Sequence, residues 1–207
     1  MQSRIRKKDI TDSPTTLLKQ SGNALIIKTN KMAIDTQEVL YIQALDNYPF
    51  DIEQCIEKLQ YVIGANNTHV GAHYLMGRIY MEQLDDYKNA KFYFQMALHL
   101  DHTFTPTYYY YAELLILLNN YQEAERVLDI GITIPGSDKA SLEFLKGILF
   151  EKYEMYTTAK KCFKAAKRSA LNTNFRSFLD KEIDRVTSKK EEVKKASKSK
   201  KKKKNKK

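Results

Sequence analysis

The chain has 207 residues, with 35 Lys+Arg against 25 Asp+Glu for a net charge of +10, and only 7 Gly, 4 Pro and 2 Cys. That length holds one domain or one short array with tails and can bury a sizeable core. Two cysteines exclude a disulfide framework, and the scarcity of Gly and Pro excludes collagen-like chains and argues against a turn-rich all-β fold.

The charge sits at the ends. Residues 187–207 carry 12 Lys and 2 Glu, and residues 1–31 carry 7 Lys+Arg and 2 Asp. Residues 32–186 carry 16 basic and 21 acidic side chains, so the body is mildly acidic. The longest apolar stretch, Tyr108 to Leu118, is broken by Glu113 and falls far short of the roughly 20 residues that cross a bilayer. The opening residues lack the apolar core of a signal peptide. With free thiols, a reducing cytoplasmic location is expected.

In chain order, residues 1–34 read as a basic, disordered lead: Arg4, Arg6, Lys7 and Lys8 are clustered and Pro14 interrupts any helix. Because regular patterning starts just after Met32, a second expectation is that translation begins at that residue, which N-terminal mass spectrometry would test.

From residue 35 the pattern becomes helical and repeats. Gly77, Ala112 and Gly147 are spaced by 35 and 35; Ala90, Ala124 and Ala159 by 34 and 35. Phe94, Leu128 and Phe163 follow each alanine by four residues, Ala97, Gly131 and Ala166 by seven, and Tyr87, Tyr121 and Tyr156 precede it by three. Small residues recur where two helices must cross closely, and a large apolar residue at i+4 shares the alanine's face. Short polar links, Asp85-Asp86, Asn119-Asn120 and Glu154-Met155, separate the paired helices.

These columns resemble the tetratricopeptide repeat (TPR), a 34-residue helix–turn–helix unit. The strongest unit reads Gly77-x-x-Tyr80, then Tyr87-x-x-Ala90-x-x-x-Phe94-x-x-Ala97; a weaker one upstream places Cys55, Leu59 and Val62 in the same columns. The family's tryptophan is missing, with His73, Tyr108 and Glu143 in its column, and Pro135 closes its unit one place early. The resemblance implies an all-α, right-handed solenoid of three to four helical hairpins over residues 35–171. Beyond it, Phe175, Phe178, Leu179, Ile183 and Val186 make one helical stripe, expected as a capping helix over 172–190, because an array must cover its last apolar face. Residues 191–207 read as a disordered lysine-rich tail.

No catalytic constellation stands out. His69 and His73 are i, i+4, but no further ligands complete a metal site. Cys55 and Cys162 fall in core columns without a nearby histidine. No cofactor, metal or enzymatic activity is expected.

The resemblance implies instead a protein–protein adaptor or scaffold whose concave face takes a partner peptide or helix. The family's fifth, ninth and twelfth first-helix positions are here Tyr74, Arg78 and Met81; Tyr109, Glu113 and Ile116; and Phe144 and Ile148, with Glu151 after them. Aromatics suit such anchors, although the same rings could pack against neighbouring repeats or the N-terminal segment. Tyr74, Arg78 and Tyr110 stand where some TPR proteins carry a Lys/Asn carboxylate clamp, which disfavours chaperone tails as ligands. The tail lysines Lys198, Lys200, Lys201, Lys202, Lys203, Lys204, Lys206 and Lys207 suit RNA, DNA or ribosome contact, and equally a solubilising role or contact with the acidic body.

Overall fold

The computed structural model describes residues 35–204, with side chains to residue 196; the basic lead and the side chains of the tail lysines lie outside them. Among the described residues are nine α-helices: α1 (Thr36–Asn47), α2 (Ile52–Ala65), α3 (Val70–Glu82), α4 (Tyr87–Leu100), α5 (Pro106–Leu117), α6 (Tyr121–Thr133), α7 (Lys139–Lys152), α8 (Tyr156–Ser169) and α9 (Thr173–Lys204). The first eight pair as successive hairpins, and α9 packs on α8. The weak upstream unit is thus a complete hairpin, α1–α2, whose Cys55, Leu59 and Val62 are fully buried.

The repeating columns do what their chemistry requires. Ala90, Ala124 and Ala159 are fully buried, as are Phe94, Leu128 and Phe163. A side chain added at Gly77 would meet the Phe94 ring at 2.7 Å, and one at Gly147 would meet the Phe163 ring. The ring four residues beyond Ala90 and beyond Ala159 therefore lies against the small residue of the partner helix. In the tryptophan column, His73 and Tyr108 are buried, and Tyr108 fills the space a larger residue at Gly131 would need.

The three later hairpin links share one device. Asp85, Asn119 and Glu154 each adopt a left-handed backbone, with φ of 52°, 60° and 59°. In the last two hairpins the next N–H reaches back across the helix end, Asn120 to Leu115 at 2.8 Å and Met155 to Phe150 at 2.9 Å, as in a Schellman cap. The link after α3 holds one more residue, and there Asp86 donates to Tyr80. Asp51, Asp86 and Asp138 accept from backbone N–H groups at the starts of α2, α4 and α7, satisfying donors a helix start leaves open.

The ninth helix buries Leu179, Ile183 and Val186 against α8. It continues past residue 190 to Lys204, through the segment that composition reads as an unstructured tail. No Gly or Pro interrupts residues 173–204, and Lys and Glu are good helix formers once a nucleus exists. No helix among the described residues is long and apolar enough to cross a membrane.

Candidate binding face

The first helices of successive hairpins, α1, α3, α5 and α7, touch one another in series and line one face of the array. The residues expected to anchor a partner lie along it, in very different surroundings.

Tyr74 is 8% exposed, packed edge-on against Phe104 and Tyr110 with ring centroids 5.4 and 5.8 Å away. Ile116 is also buried; neither offers surface to a partner, and the exposed apolar residue at the end of α5 is Leu117. Met81 and Ile148 are half-buried, packed against core clusters.

Arg78 is already engaged. Its guanidinium lies 4.7 Å from the Tyr48 ring centre and 4.3 Å from that of Tyr110. Its Nε and Nη2 donate to the two carboxylate oxygens of Glu82 at 3.2 and 3.1 Å. Tyr48, which follows α1, donates its hydroxyl to the same carboxylate. The result is a cation held between two rings and chelated by an acid, favourable on both counts. Tyr48 was not legible as a member because the upstream unit carries few repeat columns. Tyr110 stands in the clamp columns with Arg78, but among four consecutive tyrosines the sequence does not show which ring meets the cation.

At the C-terminal end, Phe144, half-buried like Tyr109, is flanked by Phe163, Phe175 and Phe178, at 5.8, 6.0 and 5.5 Å. Glu151, one to two turns further on, is held by α9: Arg185 donates to both its oxygens at 2.5 Å, and Lys189 at 2.7 Å. Arg185 also binds Glu182. Hydrogen bonds from Arg185 are the main reason the Glu151 carboxyl is held below its ordinary range.

The centre is open. Between α5 and α7 lies a cavity of about 510 Å³, walled by Thr105, Pro106, Tyr109, Tyr110, Gly136, Asp138, Ser141 and Leu142. Tyr109 is half-buried, with its ring edge-on to Tyr110 at 5.2 Å. Burial, then the charge of Glu113, Tyr110, Asp138 and Glu82, push its hydroxyl up to about 12. One turn along α5, Glu113 is pushed upward by burial, with Arg78 opposing. Burial, then Glu113, likewise push Glu82 upward.

The groups considered for chemistry are otherwise engaged. His69 accepts from the Ala72 N–H at the start of α3, and His73 meets the Asn67 carbonyl oxygen. Both cysteines are free and buried, and burial pushes each thiol up to about 11, away from nucleophilic reactivity. Among the described residues no group of three or more His, Cys, Asp or Glu converges as metal ligands.

No protein-family model matches the sequence, and no curated protein matches it. Solved structures do match the fold. TTC0263, a thermophilic TPR protein of Thermus thermophilus, superposes with a TM-score of 0.60 at 14% identity, covering 76% of this chain and 87% of that one. MamA residues 41 to the end from Desulfovibrio magneticus RS-1 gives 0.59 at 16%, covering 80% and 97%. PilW, a type IV pilus biogenesis factor, gives 0.60 at 16%, covering 75% and 80%. The fold is therefore an all-α, TPR-like helical solenoid.

Proposed function

We propose that this chain is a non-catalytic adaptor that takes a segment of a partner protein on its first-helix face, with Tyr109 as the central anchor. The observation that carries this reading is the 510 Å³ cavity between α5 and α7, beside the half-buried Tyr109. Partly buried aromatics bordering a concave, largely apolar space are what peptide anchors dock against. The TPR-like fold supports it, since stacked hairpins present an extended binding face. The buried thiols and engaged histidines speak for binding rather than chemistry. Of the expected anchors, Tyr109 lines this opening and Glu113 stands one turn further along α5, while Tyr74 and Arg78 pack against Tyr110 of its wall and Phe144 lies among rings of α8 and α9.

Tyr109→Ala should reduce recovery of the partner at least fivefold in pull-down, with the far-ultraviolet circular dichroism of the array unchanged. Full recovery by a normally folded variant would remove Tyr109 from the binding role.

A further inference from the structure

Resting on that reading, we infer that the segment taken up between α5 and α7 carries a cationic side chain, arginine or lysine, beside apolar residues.

The argument comes from three stations along one face. At the first, Arg78 fills the space between Tyr48 and Tyr110 and is chelated by Glu82. At the third, Arg185 lies between Glu151 and Glu182. At both, carboxylates of the face are met by a guanidinium of the chain itself. The middle station has rings and carboxylates but no cation hydrogen-bonded to them among the described residues. Tyr109 and Tyr110 supply rings at the cavity wall and Asp138 supplies a carboxylate there. Glu113 stands four residues from Tyr109 on the same helix, which places it on the same side. Glu113 occupies the repeat column of Arg78, 35 residues on. Among the described residues no cation lines the cavity, and Arg78, which attracts Glu113 only through its charge, gives its carboxylate hydrogen bonds to Glu82. The Asp138 carboxylate caps α7 through the Ser141 N–H and hydroxyl, neutral donors that leave it without a cationic partner among the described residues.

An incoming guanidinium or ammonium would therefore meet the Tyr109 ring and the Asp138 carboxylate at the wall, with the Glu113 charge close to Tyr109, in a partly desolvated space where cation–π and charge-assisted contacts gain strength. An acidic peptide would meet like charge and be rejected. The apolar lining, Pro106 and Leu142 with the tyrosine rings, takes the flanking residues.

The test is fluorescence anisotropy on the full chain with three labelled synthetic peptides. They share an alanine–leucine background and differ only in two central residues: both Arg, both Gln or both Glu. The Arg peptide should bind at least tenfold tighter than the Gln peptide, with the Glu peptide weakest. Glu113→Gln and Asp138→Asn, the latter keeping a residue competent to cap α7, should each weaken the Arg peptide fivefold or more and leave the Gln peptide unchanged. Glu53→Gln, on the remote and exposed start of α2, should change nothing. An Arg advantage that survives both variants, equal binding of the Glu peptide, or no binding of any peptide would each overturn the inference. If the Gln peptide binds and is lost in Tyr109→Ala while Arg confers no advantage, the adaptor reading stands and the inference alone fails. If peptides bind but none responds to Tyr109→Ala, both fail.

Discussion

Tyr109 and Phe144 occupy the same repeat column, 35 residues apart, on neighbouring helices of one face. Around Phe144 the chain closes on itself: α9 brings Phe175 and Phe178 against the ring and Arg185 and Lys189 against Glu151. Around Tyr109 the next helix leaves a cavity, and Glu113 has no hydrogen-bonded cation among the described residues. A repeat column therefore assigns a position but not its availability, which depends on what the following helix supplies. The C-terminal station is finished for stability, and the central one is left for something else.

The largest effect should come from unmaking the finished end. Leu179 of α9 is fully buried, so Leu179→Ala should cost about 2–4 kcal/mol, read as a lower urea midpoint. A cost below about 1 kcal/mol would show that α9 does not complete the core. Next comes Arg185→Ala, which strands Glu151, 12% exposed, with only Lys189; because Arg185 itself is well exposed, a loss of about 1 kcal/mol is expected. Its pH dependence follows from Glu151, whose carboxyl is depressed chiefly by Arg185. A depressed carboxyl adds stability above its unfolded value, near 4.5, and loses it as pH falls through the folded value. The gap between parent and variant should therefore narrow on acidification, and a gap independent of pH would show that Glu151 is not the group Arg185 serves.

The two regions also differ in their hairpin links. The left-handed residue is Asn119 before the central station's α6 but Glu154 after α7. Asn tolerates that backbone better than a longer side chain does. Glu154→Asn should thus raise stability by about 0.5 kcal/mol, while Asn119→Glu should lower it; thermal unfolding of both variants checks the sign.

The hairpins were legible in the sequence because their causes are local and periodic. A small residue at 77 or 147 and a ring at 94 or 163 encode one contact within one hairpin, and the period repeats it. What escaped was non-periodic or between units. The Tyr48 hydroxyl serves Glu82 across 34 residues from a hairpin with few matching columns. The flanking of Phe144 depends on the angle at which α9 packs, which a stripe of apolar residues does not specify. Tyr74 and Tyr109 share a column, yet Phe104 and Tyr110 bury the first. The extent of α9 escaped because lysine-rich composition is shared by solvated helices and unstructured tails.

The smallest effect, with the opposite sign, belongs to the open station. Burial pushes the Glu113 carboxyl up, and the attraction of Arg78 opposes it. A raised carboxyl favours the folded state most when protonated, so its ionised form costs stability as pH rises from the unfolded value, near 4.5, through the folded one. Glu113→Gln removes that cost. Because the group still reaches solvent, screening keeps the gain to about a few tenths of a kcal/mol. Thermal unfolding should show it at pH 7 and lose it near pH 4. The same variant should weaken cationic peptides, so stability and binding would move in opposite directions at one residue, as expected where a charge is retained for function. Destabilisation by Glu113→Gln would instead make Glu113 part of the Arg78 brace, and the centre of the face would then be finished in the same sense as its end.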